Sequence, residues 1–173
     1  MLQDVVSVSL PVNERMRIKK NHFEPYNLTG KEKRICIVTG IHGDELEGQY
    51  VCYELIRRLG ENGHLLNGIV DIYPSMNPLG MDSIKREMPI FDLDMNMIFP
   101  GSETGAVAEH IAAAIMNDIK GADICIDIHA SNIFLREIPQ VRISEETAPK
   151  LLPYAKMLNV DFIWVHSSVT VME

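Results

Sequence analysis

No run in this sequence comes near the roughly 20 consecutive apolar residues that a bilayer-crossing helix requires. The amino terminus, MLQDVVSVSLPVNERMRIKK, has no basic start followed by an apolar stretch, so no secretory signal is expected. Cysteine is scarce: Cys36, Cys52 and Cys125 make an odd count of three, without a closely spaced pair. That argues against a cysteine-built zinc site. Cys36 and Cys125 fall in apolar, strand-like runs and are expected to be buried free thiols in a reducing cytosol. Positive charge is also short. Sixteen Lys and Arg against 24 Asp and Glu leave a net charge of −8. Nucleic acid and anionic membrane both need a positive surface, so neither is expected as a partner. A small substrate remains open, since a local cationic pocket can exist on an acidic protein. No Gly-rich phosphate loop follows the first strong strand, and no Gly-x-Ser-x-Gly elbow is present.

What is present is an alternation of strand and helix signals over 173 residues, a length that fits one domain with a real core. Residues 1–30 are mixed and peripheral, with strand-like alternation over Val5–Leu10. Residues 35–39, Ile-Cys-Ile-Val-Thr, form an apolar run closed by Gly40, as a central strand buried on both faces would. A helical pattern runs from about Glu45 to Leu59, with Asp44 a candidate cap and Gly60 a candidate stop. A second strand is expected over Gly68–Tyr73. Residues 79–102 read as a long loop, which inside a compact domain is usually functional or disordered. Then follow a helix over Glu103–Lys120, a strand over Asp123–Ile128, a helical segment over 145–158 and a strand over Asp161–His166. This order implies an α/β fold with a mostly parallel or mixed sheet flanked by helices.

Two short motifs sit where chemistry collects in such folds. His42-Gly43-Asp44-Glu45 follows one buried strand, and Asp127-Ile128-His129 ends another. Sites in open α/β sheets form beyond the carboxyl ends of strands. Two imidazoles and a carboxylate are also the usual protein ligands of a catalytic zinc, which keeps a fourth position for water. Taken alone, His-Gly-Asp-Glu is equally a helix cap with a solvated acidic turn, and His129 a polar residue at the sheet rim.

The segment between them adds Asn77-Pro78, Arg86 and Phe91-Asp-Leu-Asp-Met-Asn-Met-Ile-Phe-Pro-Gly101. With the two His motifs, this ordered set over about residues 33–131 resembles the succinylglutamate desuccinylase/aspartoacylase family, which is similar to zinc carboxypeptidases in fold and site. The resemblance implies a zinc-dependent hydrolase that cleaves an amide bond of a small N-acylated amino acid. His42, Glu45 and His129 then match the ligands of one zinc ion. Asp94 matches the acidic residue that supports a ligand histidine from behind. Arg86 falls near the oxyanion-stabilising arginine, with Lys85 its neighbour if the register slips. Asn96 matches a residue that helps bind the substrate carboxylate.

The sequence departs from the family pattern in two places. Met97 stands where an arginine usually clamps a substrate carboxylate, and methionine offers no charge. The general-base glutamate of a later strand has no counterpart, since nothing around the terminal Glu173 matches the expected segment. The expectation is therefore a single domain over 1–173, truncated in its C-terminal part, with an exposed sheet edge through which copies could associate. A non-catalytic metal- and ligand-binding module is the alternative reading. His22, His64, His110 and His166 do not cluster by sequence; His110 reads as structural or surface, and His166 as a residue able to line the site.

Overall fold

The computed structural model describes residues 1–131 and 134–167 of the chain. They fall into two compact units, residues 1–131 and 134–167. The first holds a five-stranded sheet of β1 (Leu2–Ser9), β2 (Arg15–Phe23), β3 (Arg34–Thr39), β4 (Ile69–Tyr73) and β5 (Ile124–Ile128), in spatial order β1-β2-β4-β3-β5. The pairs β1–β2 and β2–β4 are antiparallel, whereas β4–β3 and β3–β5 are parallel. The sheet is thus mixed. The parallel half is the part in which the strand–helix–strand alternation was legible. The antiparallel half comes from the N-terminal segment, where β2 carries Met16 and Ile18 inward, followed by a buried Lys20 that interrupts the apolar alternation.

Helix α1 (Glu47–Glu61) connects β3 to β4, and α3 (Val107–Ile119) precedes β5. Strand alternation puts them on opposite faces of the sheet. On one face, Ile37 of β3 and Ile72 of β4 pack with the buried Cys52 of α1, and Leu55, Ile56 and Leu59 close over them. On the other face, Asp71 and Tyr73 of β4 meet α3. Tyr73 donates to Asp118 (2.5 Å), Lys20 binds Asp118 (2.8 Å) and Asp71 (3.4 Å), and Arg34 Nε donates to Asp71 (2.8 Å). His22 Nδ1 also reaches Asp71, at 2.6 Å. Buried charges are tolerated only when paired in this way.

Several boundaries differ from the sequence expectation for local reasons. Asp44 does not cap α1: the position before the helix is Leu46, with no side-chain cap. The helix also runs past Gly60 to Glu61 and ends on Asn62, whose side chain donates to the Arg58 carbonyl (2.8 Å). Residues 79–102 are not all loop. A short helix α2 (Pro78–Ser83) starts there, with Asn77 Oδ1 accepting from the Gly80 N–H (2.9 Å), and a 3-10 turn spans Met95–Met97. Helix α3 begins four residues later than Glu103, where Glu109 turns back to accept the Ala106 N–H (2.7 Å). Cys125 is exposed rather than buried, because β5 is an edge strand among the described residues. Cys36 and Cys52 are buried free thiols.

The second unit contains β6 (Gln140–Ser144), α4 (Ala148–Ala155) and β7 (Phe162–His166), with β6 and β7 parallel. Strand β6 had escaped the sequence reading; five residues of mixed polarity leave little periodicity to detect. Glu173, noted in the sequence, lies outside the described residues. No helix among the described residues is long and apolar enough to cross a membrane.

Candidate metal centre

Strand β3 lies between β4 and β5, and the chain leaves it for α1 through residues 40–46. The carboxyl ends of β3 and β5 are therefore adjacent, and so are the loops that leave them. One loop supplies His42 and Glu45, the other His129. The loop after β3 approaches α2 very closely: a Cβ on Gly43 would run into the backbone of Gly80 and Met81. The Gly43 N–H donates to the Lys85 carbonyl (3.0 Å), and the fully buried Asn77 donates to the Ile41 carbonyl (3.3 Å). These bonds tie the β3–α1 loop to the segment that carries Arg86. That segment leaves α2 through Ile84, a β-branched residue held at φ 51° in the left-handed region, where such residues are strained.

His42, Glu45 and His129 each present one ligand atom to a common point, all within 4.8 Å of one another. His42 Nδ1 lies 2.7 Å from Glu45 Oε1, His129 Nδ1 lies 3.0 Å from Glu45 Oε2, and the two Nδ1 atoms are 3.2 Å apart. Ligands about 2.0–2.1 Å from a tetrahedral zinc stand roughly 3.3 Å from each other, so three side chains whose ligand atoms all lie within 4.8 Å are close enough to share one ion. His42 and Glu45 are buried, whereas the side chain of His129 is 34% exposed. The triangle is thus walled on one side and open on the other, as a site with a free coordination position must be.

Behind the triangle stand two carboxylates. Asp94 Oδ1 lies 3.2 Å from His42 Nε2, and Asp127 Oδ2 lies 2.8 Å from His129 Nε2. Each ring can donate from Nε2 to its carboxylate, leaving the Nδ1 lone pair for an ion. Asp94 was expected from the sequence; Asp127 was quoted only as part of its motif. The signal for it was available, because residues two apart on a strand share a face and Asp-x-His does so here.

Arg86 is half-exposed and reaches both acids, with Nη1 3.4 Å from Glu45 Oε1 and Nη2 3.1 Å from Asp94 Oδ2. Asn96 gives its backbone N–H to Asp94 Oδ1 (2.9 Å). Met97 is 77% exposed. Lys85 contributes its carbonyl to Gly43, and His110 is exposed on α3, as expected of a surface residue. His166 ends β7 in the second unit.

The electrostatics match a site built for a cation. Burial raises the Glu45 carboxyl, but hydrogen bonds from His129, His42 and the Ala130 N–H outweigh it and hold the group below the usual carboxylate range. Asp94 is likewise lowered: burial opposes ionisation, but the Asn96 N–H, His42 and Arg86 prevail. Burial disfavours charge on His129, yet the Asp127 and Glu45 carboxylates push it up to about 10. The donor set therefore fits a divalent ion of borderline softness with nitrogen and oxygen ligands.

Comparison with known proteins agrees with this architecture. Residues 31–170 match the profile of the Succinylglutamate desuccinylase/Aspartoacylase catalytic domain. The N-alpha-acetyl-L-2,4-diaminobutyric acid deacetylase of Halomonas elongata is 31% identical over 111 residues, which are 64% of this chain and 32% of that protein. The crystal structure of a succinylglutamate desuccinylase/aspartoacylase from Rhodobacter sphaeroides superposes with a TM-score of 0.82 at 24% identity, covering 98% of this chain and 53% of that one. A metallo-carboxypeptidase from Burkholderia cenocepacia shares the fold at a TM-score of 0.68 and 14% identity, covering 98% of this chain and 48% of that one. The chain spans about a third of the length of the curated relative and about half that of these solved structures. With most of its length matched by the family profile, the chain belongs to the succinylglutamate desuccinylase/aspartoacylase family and has a carboxypeptidase-like fold.

Proposed function

We propose that the chain carries the zinc site of an amide-bond hydrolase acting on small N-acylated amino acids. The observation that carries this reading is the convergence of His42 Nδ1 and His129 Nδ1, 3.2 Å apart, on Glu45, whose Oε1 lies 2.7 Å from the first and Oε2 3.0 Å from the second, open to solvent at His129. Zinc bound there would supply Lewis acidity and an acidified water. Glu45 and the two imidazoles hold the ion; Asp94 fixes the ring of His42. Arg86 places a positive charge at the rim, where it would stabilise an oxyanion forming on the scissile carbonyl. Asn96, two residues from Asp94, would contribute to holding the substrate carboxylate. The Halomonas relative is named for removing an acetyl group from an amino-acid nitrogen, which supports the deacylase class.

A second reading is favoured by Met97. A largely exposed methionine where a carboxylate clamp is expected leaves the substrate end without that charge, as suits a module that binds metal and ligand without turnover. A cytosolic setting and small-molecule partners belong to either reading; free thiols, one of them exposed, suit a reducing compartment.

The experiment is a panel of N-acyl amino acids incubated with the zinc-loaded chain, with and without a chelator. Hydrolysis that the chelator stops and added zinc restores supports the enzyme. Ligand binding without product, at full zinc occupancy, supports the binding module instead.

A further inference from the structure

The two histidines of the triangle are held by different kinds of carboxylate. Asp94 divides its oxygens: Oδ1 faces His42 and the Asn96 N–H, and Oδ2 faces Arg86 at 3.1 Å. Its charge is already shared with a cation and a backbone donor. Among the described residues, Asp127 hydrogen-bonds His129 alone. Its Oδ2 lies 2.8 Å from His129 Nε2, and its Oδ1 is buried with no hydrogen-bond partner among the described residues. A buried carboxylate oxygen without a partner is costly. It leaves the full negative charge of Asp127 directed at one imidazole. His129 is also the ligand that the rest of the fold holds least, since it is the exposed member of the triangle and lies just past the edge strand β5.

From this geometry we infer that Asp127 is a positioning residue of the metal site. It accepts the Nε2–H of His129, fixes the Nδ1-ligating tautomer and ring orientation, and makes that imidazole the stronger donor of the two. The inference rests on the zinc reading above and adds a residue to it. Ligands supported in this way typically lose about 10–100-fold in metal affinity when the support is removed.

The test uses the full chain as wild type, Asp127→Ala and Asp127→Asn. Zinc affinity is measured by chelator competition, and the His129 tautomer by long-range nitrogen–proton NMR of the zinc-loaded protein. Asp127→Ala is expected to weaken zinc binding 10–100-fold, and to lose the single Nε2–H form of His129. Asp127→Asn keeps an acceptor oxygen and the shape of the side chain. It is expected to restore the tautomer while binding zinc more weakly than wild type. If Asp127→Ala does not fold, the Asn variant alone decides. Melting of the chelated proteins separates a fold effect from a site effect. Wild-type zinc affinity and an unchanged His129 tautomer in the variants would overturn the role of Asp127 alone. A wild-type chain that takes up no zinc would overturn the site reading, and this inference with it.

Discussion

At the scale of single residues, the chemistry is concentrated in a few side chains whose removal has separable consequences. His42→Ala or His129→Ala takes one donor from a three-ligand set, and stoichiometric zinc uptake measured by elemental analysis is expected to be lost. Arg86→Ala keeps the ligands but removes the rim cation. On the enzyme reading, kcat should fall about 10²–10³-fold with zinc content unchanged, as for other lost oxyanion donors. An equal loss of zinc would instead make Arg86 a clamp on Glu45 and Asp94, which it also contacts. The candidate ligands His42, Glu45 and His129 were legible in the sequence because each sits in a short motif next to an apolar strand. Asp127 was less so: its spacing puts it on the face of His129, but only the fold brings its carboxylate to 2.8 Å from the ring. The engagement of Arg86 with both acids was likewise invisible, since it depends on the Gly43–Lys85 bond that joins two loops.

At the scale of elements, the site depends on close packing of the β3–α1 loop against α2. Gly43→Ala is expected to force the two backbones apart, because the added carbon has only the Gly80 and Met81 main chain to meet. Overpacking of this kind costs about 1–3 kcal/mol, readable as a lowered urea midpoint together with weaker zinc binding. The second element-level feature is the ion cluster between the sheet and α3. Burial raises the Asp71 carboxyl, but His22, Arg34 and Lys20 more than reverse this and hold it below its ordinary value. A carboxyl depressed in the folded state stabilises the protein above its unfolded pKa of about 3.9, and that contribution is lost as pH falls through the folded value. Asp71→Asn should therefore cost about 3 kcal/mol near neutral pH. The gap between variant and wild-type urea midpoints should narrow below about pH 4. A gap that stays constant to pH 2 would count against the cluster. The central strands and α1 were readable from periodicity, whereas β2 and α2 were not. Lys20 breaks the inward apolar pattern of β2, and α2 has six residues with Pro78 at its start.

At the scale of the whole molecule, the five-stranded sheet and the candidate metal centre fall within the first compact unit, which carries every residue of the proposed site. Ion binding should therefore stabilise the fold as well as the site. Zinc at 100 times its dissociation constant is expected to add about 2.7 kcal/mol, seen as a raised melting temperature that His129→Ala abolishes. A melting temperature indifferent to zinc would contradict an ion bound selectively to the native state. The alternation of strands and helices showed the fold class in advance, while the antiparallel half of the sheet and the boundary between units depend on contacts distant in sequence.

The central claim is that His42, Glu45 and His129 share a single ion. Zinc K-edge absorption of the chain loaded with one equivalent tests it most directly. The expected result is a four-coordinate nitrogen and oxygen shell at about 2.0–2.1 Å, with the outer scattering of two imidazoles and no sulfur. A fully hydrated six-coordinate ion, or a shell containing cysteine sulfur, would contradict it.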